Sequence, residues 1–371
     1  MGALSARPLR TGFSINVSAV PETMAGAKEA ESMGFNRIGI WDSPALYREP
    51  WVALGAIATA TTSVRIGPWV TNPLTRHPAV TAAAMATLDD LAPGRVILGI
   101  GTGDSGVYNL GGQAASFAGL ANYIAAVRDL ITHGEAHWNG ARISMAWAAG
   151  RSIPIIASAH STRALRTLAG VADGLVVGLG VHPEIVEQCM EIIGDAAEAS
   201  GRDPGDLETW WLAPWYLAED SDAARDAALW RVTAMVHHWP RSHGRGKLLP
   251  ADLVDRVLEL GSHYDMNTHG HPTDEQKLEY AAFARKLGIA DYLISRFTFS
   301  GTPDDIASQI RASYAAGATN LDCTNPVGHN TLMTGPRVWA SKVAPLISDL
   351  SHGSRIDRKT DVLQDAGHAK M

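Results

Sequence analysis

The sequence predicts an α/β fold, a (β/α)8 barrel of the TIM type with an insertion near residues 238–282. Two observations lead there. Short apolar runs alternate with amphipathic stretches along most of the chain, the rhythm of a parallel sheet whose crossovers are helices. The strand candidates number eight in 371 residues, and a single α/β barrel with insertions runs from about 250 residues upward. An open doubly wound sheet is the alternative that the same rhythm allows.

The elements follow in order. GFSINVS (12–18) reads as a strand, and PETMAGAKEAESMG (21–34) as a helix with Pro in its first turn and Gly at its end, the usual asymmetry of helix termini. RIGIW (37–41), VRIGPWV (64–70) and RVILGIG (95–101) are the next strands, separated by helices over 51–61 and 79–94. After a helix near 117–131, IPIIAS (153–158) and GLVVGLG (174–180) flank a helix at 162–170, and another begins at His182-Pro183-Glu184. LETWWLAPWYLAED (207–220) reads as one further strand whose tryptophans, Trp210 and Trp215 among them, alternate between barrel interior and exterior. The Gly-, Pro- and His-rich stretch 238–282 breaks the pattern, and 302–324 returns to helix then strand. Residues 1–350 form one barrel domain in this reading, followed by a polar tail over 351–371.

Composition narrows the function. Hydrophobic residues make up 46% and charged residues 19%, with 36 Gly and 19 Pro, so the chain can bury a large core between tight turns. A net charge of −7 and no dense Lys/Arg cluster exclude a nucleic-acid surface, because phosphate backbones are bound by such clusters. Two cysteines, Cys189 and Cys323, build neither a disulfide framework nor a Cys-rich zinc site, which points to a cytoplasmic protein. No apolar run approaches the roughly 20 residues of a membrane span, and the N-terminus lacks a signal-peptide core.

The stretch RVILGIGTGDSGVYNLGG (95–112) contains two motifs at once. Gly101, Gly103 and Gly106 spell a dinucleotide fingerprint, but they follow the fourth strand, and no later strand ends in the acidic residue that would hold a ribose. Gly103-Asp104-Ser105-Gly106 spells the surroundings of a trypsin-like nucleophile, but that fold is all-β and this chain alternates β and α. In a barrel the residues after each strand lie on the catalytic face. Glycines there let backbone N–H groups approach an anion, with Thr102, Ser105 and Asn109 adding polar contacts. A phosphate-bearing cofactor is the ligand this loop suits; a plain tight turn is the simpler alternative.

With WDSP (41–44), VTNPLTRHPAVTAAAMATLDDLAPGRVILGIGTGDS (70–105) and ADGLVVGLG (172–180) in this order, the sequence resembles the luciferase-like monooxygenase superfamily, over about residues 12–348. That superfamily holds flavin monooxygenases and deazaflavin-dependent reductases of the methylene-tetrahydromethanopterin reductase type. The resemblance implies a reduced flavin or deazaflavin at the C-terminal ends of the strands. It implies Asp42 beside the ring, with Ser43 where many deazaflavin members have His, and Trp69-Val70 at a bulge, often a non-prolyl cis peptide, behind the ring. It also places Gly101-Thr102-Gly103-Asp104-Ser105 near the ribityl and phosphate groups and Gly178-Leu179-Gly180 at a second phosphate-side loop. Ser158-Ala159-His160-Ser161 departs from the family pattern, which turns attention to Ser158 and His160 as ligand-facing residues.

The remaining candidates each have a structural alternative. His77 is a catalytic candidate at the barrel mouth or a helix-entry residue, and Arg76 beside it suits an anionic reduced ring. Asn72 contacts the ring edge or shapes the Asn-Pro turn. The histidines at 237, 238, 243, 263, 269 and 271 fit no metal-ligand spacing and read as a polar lid. The function expected is a monooxygenase that uses reduced FMN, supplied by a separate flavin reductase, with oxygen and a small organic substrate. The alternatives are an F420-dependent dehydrogenase or reductase acting by hydride transfer, and a non-catalytic flavin-binding barrel. The resemblance also implies a homodimer.

Overall fold

The computed structural model describes residues 7–265, 272–323 and 333–351. Eight parallel strands close into a ring: β1 (Arg10–Ile15), β2 (Arg37–Ile40), β3 (Arg65–Pro68), β4 (Leu98–Ile100), β5 (Ile155–Ala159), β6 (Gly174–Val177), β7 (Glu208–Leu212) and β8 (Asn320–Asp322). Seven neighbouring pairs form parallel ladders, including β8 with β1. The eighth contact, β3 with β4, is made by the parallel bridges Ile66–Val96 and Thr71–Ile100. The barrel expected from the sequence is therefore the fold, and the open sheet is not.

Helices pack outside the ring as the chain returns between strands: α1 (Val20–Ser32), α2 (Pro50–Ala60), α3 (Pro78–Leu91), α4 (Phe117–His133), α5 (Thr162–Ala169) and α6 (Pro183–Ala199). Their ends carry the signals read in the sequence. Pro opens α2, α3 and α6, and Ser116 accepts from Gly119 N to cap α4, which ends at Gly134 in the left-handed region at φ 73°. No helix among the described residues is long and apolar enough to cross a membrane.

Two expectations change. The tryptophan-rich run is not one strand: β7 stops at Leu212, and Trp215–Leu217 pairs instead with Phe299–Gly301 in a separate ladder. Pro214 lies at the break, and a residue without an N–H cannot continue a central ladder. Trp215 is thereby carried outside the barrel, against Trp339 at 5.4 Å. The insertion is also longer than 238–282. It begins with α7 (Ser221–Val236) and continues through α8 (Val254–Ser262), α9 (Asp274–Lys286) and α10 (Ala290–Phe297), with its own apolar cluster around Val232, Trp239, Val257, Leu293 and Phe297. The chain then enters α11 (Pro303–Ala315) and β8.

Alternation along each strand sorts the core. Outward residues such as Phe13, Ile38, Ile66, Leu98, Leu175, Trp211 and Leu321 pack under the helices. The interior is filled differently, by Trp69, Ile97, Ile156, Val176 and Trp210 together with a wholly buried Arg37. Small residues make the room: a Cβ on Gly12 would lie 2.4 Å from the Arg37 guanidinium, and one on Gly39 would lie 2.5 Å from Trp69 Cβ. Arg37 donates to Asp322 Oδ1 at 2.6 Å, and the other Asp322 oxygen accepts from Trp69 Nε1 at 3.0 Å. The guanidinium lies over the Trp69 ring at 3.8 Å and the Trp210 ring at 4.7 Å, so ring faces replace part of its lost hydration.

A buried charge without its partner is costly. Asp322→Ala is expected to lower the unfolding free energy in urea by about 3–5 kcal/mol, because Arg37 would remain charged inside the barrel. The double variant Arg37→Met/Asp322→Leu, which leaves neither charge, should recover most of that loss.

Candidate functional site

Above the C-terminal ends of the strands lies a cavity of about 440 Å³. Its floor includes Trp69 and Asp322, so the buried ion pair ends at its base. Its walls are the loops after β2 to β5, and one side is closed by α7 and the insertion.

The β2 and β3 loops make a wall that accepts hydrogen bonds. Asp42 is buried; its Oδ2 accepts from Thr71 Oγ1 at 2.6 Å and from the Arg76 guanidinium, which also reaches Glu49 at 2.6 Å. Its Oδ1 is buried and has no hydrogen-bond partner among the described residues, an unmet acceptor in a cavity wall. Ser43 shares a 2.7 Å hydroxyl contact with Ser105. The Trp69–Val70 peptide is cis. Asn72 uses its Oδ1 on Leu74 N at 2.9 Å and Thr75 N at 3.0 Å, so the oxygen shapes the turn while the residue still borders the cavity.

A second wall, from the β5 loop and the insertion, gathers basic side chains. Lys247 is buried, donates to His160 O at 2.5 Å and lies over Trp239 at 5.4 Å. His160 Nε2 is 3.0 Å from Ser158 Oγ, and its ring meets His238 edge-on at 5.4 Å. His237 hydrogen-bonds Ala234 O at 2.6 Å through Nδ1 and sits 3.2 Å from Asp104, which Arg241 also approaches at 3.6 Å. Arg296 holds this wall from behind, donating to Leu179 O at 2.8 Å and Lys247 O at 2.5 Å.

Most residues singled out from the sequence meet here: Asp42, Trp69, Val70, Asn72, the loop Gly101-Thr102-Gly103-Asp104-Ser105, Ser158 and His160 all line the cavity. His77 does not. Its Nδ1 accepts from Ala79 N at 3.2 Å as the cap of α3, and its ring packs against Trp138. Gly178-Leu179-Gly180 is also kept off the cavity wall: a Cβ on Gly178 would strike the His160 ring at 2.2 Å, and Gly180 lies against Arg296. Sequence reasoning missed Lys247, Arg231 and Asp322 among the residues that line the cavity. Among the described residues no group of three or more His, Cys, Asp or Glu is placed to hold a metal; His269 and His271 lie outside the described residues.

Comparisons with known proteins bear on the family and the fold. The family model for luciferase-like monooxygenases matches residues 5–320. A 5,10-methylenetetrahydromethanopterin reductase of Methanolobus tindarius is 26% identical over 82% of this chain and 90% of its own length. The coenzyme F420-dependent tetrahydromethanopterin reductase of Methanopyrus kandleri superposes with a TM-score of 0.68 at 20% identity, covering 91% of this chain and 99% of its own. A long-chain alkane monooxygenase superposes with a TM-score of 0.66 at 14% identity, covering 95% and 94%.

The cationic wall gives stability a pH signature. Burial, with the Arg296 charge behind it, pushes Lys247 down from 10.5 to about 7. Between those values the unfolded chain binds a proton that the folded chain does not, so stability rises with pH; below about 7 the full cost of the buried ammonium is present. Burial, then the Lys247 charge, pushes His160 from 6.5 to about 4, so acidification through that window also destabilises. Lys247→Met is therefore expected to stabilise the fold most below about pH 7 and least near pH 10, read from urea midpoints across pH.

Proposed function

The chain belongs to the luciferase-like monooxygenase family, and on that premise we propose that it is an F420-dependent oxidoreductase. It would pass a hydride between the deazaflavin coenzyme and a small organic substrate in the cavity above the barrel. The observation that carries this reading is the division of the cavity. One wall offers the buried, unmet acceptor Asp42 Oδ1, and a second wall offers the buried amine of Lys247, which no carboxylate of the described residues partners. A planar heterocycle with polar edges fits the first wall, and the phosphate of its side chain fits the second.

Sequence reasoning alone favours reduced FMN. The deazaflavin is preferred because a relative aligned over 82% of the chain is a reductase by name, and another, 29% identical over 62% of the chain, is named an F420-dependent glucose-6-phosphate dehydrogenase. The likeness to monooxygenases, at 14% identity, speaks for the fold alone.

When bound, the deazaflavin supplies hydride transfer at its ring. The chain's own part is positioning. Thr71 and Arg76 fix Asp42 through Oδ2, leaving Oδ1 to accept an N–H or O–H from the ring edge. Ser43, bonded to Ser105, braces the β4 loop. Lys247, His160 and Arg241 would meet the phosphate side, and Trp69 and Val70 keep water from beneath the ring.

An oxygen-free titration separates the cofactors. Oxidised and reduced F420 are expected to bind in the range of about 1 μM, and reduced FMN at least roughly tenfold more weakly. Tight binding of reduced FMN alone would return the reading to a monooxygenase served by a flavin reductase. An anion beside Lys247 raises its affinity for a proton. Calorimetry near pH 8 in buffers of different ionisation enthalpy should therefore show proton uptake on F420 binding, abolished in Lys247→Met.

A further inference from the structure

Arg231 lies on α7 in the helical register of Ala234 and Met235, and all three line the cavity. It is half-buried. The other arginine that lines this cavity, Arg241, has Asp104, and the arginines behind its floor and wall are paired too, Arg37 with Asp322 and Arg76 with Asp42 and Glu49. Among the described residues, no carboxylate lies within 4.0 Å of Arg231. A half-buried guanidinium with no counter-charge, facing a cavity, is a group whose partner arrives with a ligand.

Tyr47 lines the same cavity, its ring against Trp41 at 5.7 Å. Burial pushes its phenol up, so it stays neutral at ordinary pH and adds no negative charge beside the cavity's cations. A guanidinium on such a wall suits a carboxylate or a phosphate.

Lys247 and Arg231 are separate poles. Lys247 is tied to the β5 loop through its bond to His160 O, whereas Arg231 projects from α7 and, among the described residues, has no hydrogen bond or ion pair to that loop. If the coenzyme's phosphate side occupies the first pole, as the reading above has it, the second is left for the substrate. We propose that the substrate is a small organic anion, a carboxylate or phosphate ester, anchored by Arg231. The assignment of this pole to substrate rests on that reading; Arg231 is a specificity-determining residue, not one that touches the reacting atoms.

The test uses the protein saturated with oxidised F420 and follows its thermal unfolding midpoint against added inorganic phosphate and, separately, acetate, each compared with sodium chloride at equal ionic strength. A ligand that binds only the folded state raises the midpoint. At least one anion should do so in the wild type and in Arg231→Lys. Arg231→Gln should weaken that anion by roughly tenfold or more while F420 affinity changes less than about threefold. No anion-specific rise in the loaded wild type overturns the proposal. So does a tenfold loss of F420 affinity in Arg231→Gln, which would give Arg231 to the coenzyme. If F420 does not bind the wild type, the cofactor reading fails. The phosphate and acetate titrations of the unloaded protein, wild type against Arg231→Gln, then decide the anchor separately.

Discussion

The ion pair between Arg37 and Asp322 crosses the interior of the barrel, and the architecture above and below is arranged around it. Gly12 and Gly39 give up side chains so that the guanidinium and Trp69 fit. Ser14 donates to the same carboxylate at 2.9 Å, and Trp69 Nε1 holds its second oxygen. Below, Trp210 bonds Glu208 at 2.7 Å, and Glu208 takes Arg65 at 2.6 Å. A polar column thus runs from the base of the barrel to the floor of the cavity, inside a shell of apolar residues. Such a column contributes little net stability against an apolar filling, but it fixes the orientation of Trp69, and with it the surface on which a planar ligand would lie.

Charge is distributed in the cavity by the same logic. Asp42 and Asp322 are each engaged by an arginine, so the carboxylates bring little free negative charge, while Lys247 and Arg231 have no carboxylate of the described residues beside them. The imidazoles of His160 and His238 are driven neutral by burial and by the neighbouring cations. The site is short of negative charge at two separate places. Holding Lys247 buried and Arg231 half-buried without a carboxylate costs stability, and an anion arriving at each place with cofactor or substrate would offset that cost.

Much of the barrel was legible because its signals are local. Each strand is a short apolar run, and each helix from α1 to α6 carries a Pro or Ser at its start. The loops after β2 to β5 gathered as expected, since position after a strand already assigns a residue to the catalytic face. What was not legible depends on long-range packing. His77 has the sequence neighbourhood of a site residue but spends its Nδ1 on capping α3. Gly178 and Gly180 are small because His160 and Arg296 press on them, and nothing near residues 174–180 announces side chains from 160 and 296. Arg37 offered a faint signal, a charge entering the apolar run RIGIW, and Pro214 a clearer one, a break inside the presumed strand 207–220. Lys247 and Arg231 carried none, because a lysine in a Gly-rich loop and an arginine on a helix read as solvated until the fold buries them.

The central claim is that the cavity takes a deazaflavin with its ring beside Asp42 and its phosphate side toward Lys247. A crystal structure of the protein grown with oxidised F420 tests it most directly. The account predicts ring density against Trp69 and Val70, a ring-edge donor at Asp42 Oδ1, and phosphate density within hydrogen-bonding reach of Lys247 or His160. Phosphate density at Arg231, or a ring away from Asp42, would contradict it.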